Sequence, residues 1–282
     1  MSSFQRTIKY CAIAFAAFLA ITIITGIVSA VVSIGSAVSG EHAWNSDRKT
    51  IDFSENFTGV EGLDIDVSSG ELTIKSGDTF RVEAENVPDS FEAKVSGNGT
   101  LTVNEDKDSV HFLWFNFGGF GHLKSKITLY LPADFIADYT DINTGAGKIT
   151  IEALHTQDLI VSAGAGDVYG SHVVADEVSI DGGVGNVNLT DISFRNADLN
   201  CGVGNLKIEG ELLGDNKIEC GVGDVDLELE GNEEDYDLNV DSGVGTVRVN
   251  DEKISGRYNN DNADNSIDIN GGIGNVRIKF NE

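Results

Sequence analysis

Basic residues are scarce in this chain: 19 Lys and Arg stand against 46 Asp and Glu over 282 residues, a formal net charge of −27. That balance excludes a nucleic-acid partner, because binding a phosphate backbone needs Lys and Arg to displace its counterions. Proline is nearly missing, at 2 residues, and the 3 Cys are too few and too irregularly spaced for a disulfide framework or a zinc site. No GxSxG elbow, HExxH pair or phosphate-loop lysine occurs, so no catalytic, cofactor-binding or metal-ligating residue is assigned and the chain is read as a non-enzyme. Hydrophobic content of 40% is nevertheless too high for a disordered acidic chain.

Charge is also missing locally. Residues 10–40 contain no Asp, Glu, Lys or Arg, and the densest apolar part, 10–32, exceeds the roughly 20 residues that cross a bilayer core. Arg6 and Lys9 precede it and Glu41 is the first charge after it, which orients the N-terminus to the cytoplasm. A cleavable signal is the rival reading, with Ala37-Val38-Ser39 as a cleavage site, but signal h-regions are shorter, about 7–15 residues. The expected plan is a cytoplasmic tail at 1–9, a single transmembrane helix at 10–32, a stalk at 33–50 and an extracellular domain at 51–282 on the cell membrane. All 46 acids then lie outside, where they favour solubility and repel anionic lipid.

What the sequence does have is a repeat. Gly-x-Gly followed by a polar and then an apolar residue occurs seven times. The glycine pairs are Gly145 and Gly147, Gly164 and Gly166, Gly183 and Gly185, Gly202 and Gly204, Gly221 and Gly223, Gly243 and Gly245, and Gly272 and Gly274. All fourteen are read as structural glycines of a repeated bend. The first glycines step by 19, 19, 19, 19, 22 and 29 residues. Three places before each first glycine stand Ile142, Val161, Ile180, Leu199, Ile218, Val240 and Ile269. Four places after it stand Ile149, Val168, Val187, Leu206, Val225, Val247 and Val276. Alternation at period two with β-branched residues means strands, so each repeat reads as strand, bend, strand, turn. A two-strand unit cannot bury its apolar face alone, and stacking many units can; the fold class is therefore all-β, a parallel β-solenoid with coils of about 19 residues. Regular coils are expected over 141–282, and a cap with irregular first coils over 51–140.

The residue before each first glycine is small: Thr144, Ala163, Gly182, Cys201, Cys220, Ser242 and Gly271. This column predicts an inward corner without room for a large side chain. Cys201 and Cys220 fall on adjacent coils about 4.8 Å apart, within disulfide reach, although two buried thiols filling the slot are the preferred reading. Three places after the first glycine stand Lys148, Asp167, Asn186, Asn205, Asp224, Thr246 and Asn275, a column suited to an amide ladder or to turn chemistry.

Ser69-Gly70-Glu71-Leu72-Thr73-Ile74, the strand ending Leu129-Tyr130-Leu131-Pro132 and the serial Gly-x-Gly repeats together resemble the bacterial DUF4097 family, also labelled candidate adhesins. The resemblance covers about residues 51–282. It implies a right-handed β-helix on an exported, often membrane-anchored protein, and it brings no catalytic residues. Gly97-Asn98-Gly99-Thr100-Leu101 reads as a further worn repeat.

Two constellations remain. The Gly-rich β-roll motif that binds Ca²⁺ needs an Asp where this chain has Val187, Leu206, Val225, Val247 and Val276, which leaves only diffuse binding by stacked carboxylates. Trp114, Phe115, Phe117 and Phe120 form a candidate partner patch, or else a hydrophobic plug on the first coil. The function expected is a non-catalytic surface binding or adhesion module, without cofactor, whose partner is cell-wall polymer, a host surface or another envelope protein. The alternative is a scaffold that self-associates end to end, because the chain stops just after its last coil, or an envelope-stress accessory protein.

Overall fold

The computed structural model describes residues 50–105, 111–112, 115–116, 125–254 and 263–281. The expected tail, transmembrane helix and stalk lie outside these residues, as do the side chains of Trp114, Phe115, Phe117 and Phe120. Only the backbone of Phe115 is seen, in a two-residue strand, Phe115–Asn116, paired with His111–Phe112. Among the described residues no helix is long and apolar enough to cross a membrane.

From residue 50 onward the described chain is all-β, and nineteen of its strands join in one continuous sheet that winds as a solenoid. Its coils stack in parallel. Gly62–Gly77 pairs with Ala137–Ile151, which pairs with Leu154–Ala165 and the start of Val168–Asp181. The stack continues through Val187–Arg195 and Ala197–Asn200 to Leu206–Leu213 and then Asp215–Val222 with Val225–Glu230. From Ala137 up to this point every step is close to nineteen residues in register.

Both ends depart from chain order. At the N-terminal end the outermost coil is made by Thr100–Asn104 and Lys126–Pro132, which stack on the outside of the earlier Gly62–Gly77. At the C-terminal end Asp215–Val222 pairs with Asn265–Ile273, a jump of 51 residues, and Val225–Glu230 pairs with Val276–Asn281. Tyr236–Asp241 and Val247–Val249 sit on the far side of that last-made coil. The expectation that the chain's final coil forms an uncovered end is thus wrong: 265–281 is sandwiched between 215–230 and 236–249. The Val247–Val249 edge is covered in turn by antiparallel Glu252–Ile254.

Antiparallel strands also cover the N-terminal end. Glu92–Val95 pairs with Thr100–Asn104, and Phe80–Pro88 lies between Lys126–Pro132 and Thr50–Phe57. Gly97–Gly99 belongs to the hairpin turn of the first pair, where the Ser96 N–H donates to the Thr100 carbonyl at 2.9 Å, and not to a coil corner. Gly70, by contrast, stacks directly on Gly147 as a true corner.

The core follows from the columns. Val103, Ile65, Ile142, Val161, Ile180, Leu199, Ile218, Ile269 and Val240 lie one above another in spatial order, all buried. A second buried column runs Ile127, Leu72, Ile149, Val168, Val187, Leu206, Val225, Val276 and Val247. Each such side chain contributes about 1.5–3 kcal/mol of transfer free energy before conformational entropy is subtracted. Stacking makes the columns continuous, so no coil has to bury its face unaided.

Candidate functional site

The structure places all seven Gly-x-Gly units at one corner of the coil, one per floor, and the corner is built by close backbone approach. The second glycines stack in the spatial order Gly147, Gly166, Gly185, Gly204, Gly223, Gly274 and Gly245, so the last two exchange their sequence order. A Cβ on any of them would lie only 1.6–1.8 Å from a carbonyl oxygen of the adjoining floor. For Gly185 that oxygen belongs to Gly166, for Gly204 to Gly185 and for Gly223 to Gly204; for Gly274 it belongs to Gly223 and for Gly245 to Gly274. The tightest case is Gly166, 1.6 Å from the Gly147 oxygen, with φ +143°, a region open to glycine and strained for other residues. The first glycines are set back a little: a Cβ on Gly164, Gly183, Gly202, Gly221, Gly243 or Gly272 would still meet a neighbouring floor's carbonyl oxygen, Gly145 supplying the one beside Gly164. The glycines read as structural therefore stand at corners where close backbone approach leaves no room for a side chain.

The small column beside the corner is buried at Cys201 and Cys220. These two are joined by a disulfide with Cα atoms 4.9 Å apart. The preferred reading of two free thiols is therefore corrected. The pair has glycine on both axial sides: Gly271 stands opposite Cys220, and Gly182 fills the small position on the floor beyond Cys201.

One flank of the corner carries a hydrogen-bonded Asx ladder. Asn186 donates its backbone N–H and its side-chain amide to Asp167 Oδ1 at 2.9 and 3.1 Å. Asn205 does the same to Asn186 Oδ1 at 3.2 and 3.3 Å, and the Asp224 N–H donates to Asn205 Oδ1 at 3.0 Å. Asn275 then donates to Asp224 Oδ1 at 2.7 and 3.2 Å, and the Thr246 N–H to Asn275 Oδ1 at 3.3 Å. The ladder follows spatial order, passing through the inserted coil. These bonds hold the Asp167 carboxyl below its ordinary range: the Asn186 N–H is the largest cause, with smaller help from the Asn186 amide, Tyr169 and Lys148. On the other flank Asp181, Asn200 and Asp241 each accept from the N–H of the first glycine of their own corner, at 2.9–3.0 Å.

Between the flanks stands the residue of each unit that lies between its glycines. Ala165, Val184, Val203 and Val222 bridge in sequence, Val222 pairs with Ile273, and Ile273 bridges to Val244. Val184 is 57% exposed, and Val203, Val222, Ile273 and Val244 are 38–47% exposed. Five β-branched aliphatics thus stand in an outward row about 19 Å long, at about 4.8 Å per floor. A trough of glycine backbone borders the row on each side. Contiguous exposed apolar surface of this kind marks interaction sites in soluble domains. The sequence carries a β-branched aliphatic x in five of seven units, but alternation through Ile218 and Cys220 points Val222 inward, and it is the glycine corner that turns it out.

A second electrostatic feature lies where Asp64 pairs with Asp141 on adjacent floors, with Asp66 two places along. Partial burial, and then the neighbouring acids, push Asp64 and Asp141 above the ordinary carboxylate range; the Asn143 amide, 2.9 Å from Asp141, only partly offsets this. Among the described residues no three His, Cys, Asp or Glu side chains are grouped as a metal site. His172 and Asp191 stand one floor apart at 3.6 Å, both well exposed.

Among known families, the model described as Toastrack DUF4097 matches residues 60–279. Similar solved structures include a candidate cell adhesion protein from Clostridium sporogenes, 16% identical with a TM-score of 0.34 over 83% of this chain and 100% of that one. A candidate adhesin from Bacteroides fragilis is 15% identical with a TM-score of 0.44, covering 82% of this chain and 97% of the other. Another, from Parabacteroides distasonis, is 13% identical with a TM-score of 0.35, over 83% and 98%. No curated protein matches the chain.

Proposed function

The chain belongs to the Toastrack DUF4097 family, and from that premise we propose that it is a membrane-anchored, extracytoplasmic module that binds a partner at the cell surface and does no catalysis. The single observation that carries the reading is the exposed aliphatic row Val184–Val203–Val222–Ile273–Val244 between its glycine troughs. A row repeating every floor fits a partner that also presents an extended face, such as cell-wall polymer, a host surface protein or another envelope protein.

Export and anchoring are supported by the uncharged run at 10–40 behind Arg6 and Lys9. The Cys201–Cys220 disulfide is consistent with them, since such bonds persist in oxidising compartments and are rare in the cytosol. In this reading the coil is right-handed, the hand that parallel crossovers within one sheet nearly always take. Binding requires no cofactor, calcium included. Self-association through the end of the chain loses its motive, because the final coil is enclosed.

The test is cosedimentation of the purified full-length chain, in detergent, with bacterial cell walls and separately with host matrix proteins, with and without a calcium chelator. Saturable pelleting with one of them, unchanged by chelator, is expected. Pelleting with none overturns the binding reading, and chelator sensitivity overturns the cofactor-free part of it.

A further inference from the structure

The enclosed position of the final coil has a cause in its outward-facing charges. On 265–281, Ser266, Asp268 and Asn270 face Asp215, Lys217 and Glu219 on one side and Asp237, Asn239 and Asp241 on the other. Past the corner, Arg277 and Lys279 face Asp226 and Glu228. Both 236–249 and 265–281 carry a Gly-x-Gly corner and the same apolar columns, so core packing alone lets either of them dock on 215–230.

The outward rows discriminate. As built, Lys217 faces Asp268 and Glu228 faces Lys279, whereas Asp226, held by Arg277 at 2.7 Å, meets an arginine in either order because Arg248 occupies the equivalent place. Ser266 Oγ donates to Asp215 at 2.9 Å. Exchanging the two coils in the same register would set Asp237 beside Asp215 and Asp241 beside Glu219. It would also give Lys217 and Glu228 the neutral partners Asn239 and Asn250. Directly opposed like charges destabilise a strand pair, and opposite charges stabilise it.

One neutral contact points the same way. Asn265 Oδ1 accepts from the Gly214 N–H at 2.9 Å, at the place that Tyr236 would occupy after exchange.

We propose that the C-terminal coil is an electrostatic insert. It interposes neutral Ser266 and Asn270 between two acidic rows and thereby fixes the order of the last two floors. The coil 236–249 seats only when 265–281 is already against 215–230, so the end of the solenoid closes in one step that needs the whole chain.

Cysteine trapping in the full-length chain tests the order. Adjacent floors put Cα atoms about 4.8 Å apart, within disulfide reach, and two floors put them about 9.6 Å apart, beyond it. Val222→Cys with Ile273→Cys is expected to form a bond, and Val222→Cys with Val244→Cys is not, as read by mass spectrometry of unreduced peptides. Adding Asp237→Asn and Asp241→Asn removes the repulsion and is expected to raise the Val222–Val244 crosslink at least tenfold. The proposal is overturned if that crosslink forms readily in the otherwise unaltered chain, or if neutralising the two acids leaves trapping unchanged. Should the neutralised variant fail to fold, Ser266→Asp with Asn270→Asp supplies the converse reading. It is expected to lower the Val222–Ile273 crosslink several-fold, and an undiminished crosslink there also overturns the insert.

Discussion

Asn186 donates two hydrogen bonds, from backbone and side chain, to a single oxygen of Asp167, nineteen residues earlier and one floor away. Its own Oδ1 receives the same pair from Asn205. Replacing Asn186 by Ala therefore breaks contacts to both neighbouring floors. We expect a loss of about 1–2 kcal/mol, small because the ladder is exposed and water replaces part of it. Urea denaturation of Asn186→Ala beside wild type reads the change directly.

Acid affects the two sites in opposite senses. Asp167 is lowered in the folded state, so its contribution is present above the unfolded value, about 3.9, and is lost as pH falls through the lower folded value. Asp64 and Asp141 are raised, so their contribution is present below about 3.9 and is lost as pH rises through their folded values. At neutral pH they are a burden. Asp64→Asn is expected to be more stable than wild type at pH 7, by less than about 1 kcal/mol after solvent screening. Its advantage should vanish as pH approaches 4, in thermal melts across pH 4–7; an advantage that grew on acidification would reverse the assignment.

Corner glycines differ sharply from loop glycines. Gly166→Ala forces a methyl group to within 1.6 Å of the next floor's carbonyl at positive φ. It is expected to cost about 3 kcal/mol or more. Gly97→Ala meets nothing within 4 Å and is expected to stay within about 0.5 kcal/mol of wild type. Equal melting temperatures for the two variants would contradict the corner geometry.

The Cys201–Cys220 bond joins residues nineteen apart in sequence. Replacing both with Ala, which the small column tolerates, is expected to cost about 3 kcal/mol on the loop-closure account. Because both sulfurs are buried, dithiothreitol should reduce the native protein far more slowly than the urea-unfolded one, as followed by alkylation and mass spectrometry.

Much of this was legible in the sequence because a solenoid stacks equivalent residues, so a nineteen-residue step maps directly onto floors. The apolar columns at Ile142 and Ile149 and the ladder at Asp167, Asn186 and Asn205 needed nothing more. Coil order was not legible: Gly243 and Gly272 head equivalent units, and only cross-floor pairs such as Lys217 with Asp268 and Glu228 with Lys279 distinguish them. For Cys201 and Cys220 the nineteen-residue step gave adjacency within disulfide reach but did not decide between a bond and two thiols. Gly97-Asn98-Gly99 matched the corner pattern in composition, yet its flanking strands pair antiparallel across it. The outward row was not legible because alternation along 215–222 runs through buried Asn216, Ile218 and Cys220 to Val222, and only the corner turns Val222 outward.

The central claim is that this row is the binding face. It is tested most directly by triple substitution of Val184, Val203 and Val222 to Ser in the full-length chain, with melting checked first and saturable binding to cell walls or matrix protein then compared with wild type. Surface changes of this kind should leave stability within about 1–2 kcal/mol. The account predicts binding weakened at least tenfold in a variant that still folds. Undiminished binding by the folded variant would contradict it and move the contact to another face of the solenoid.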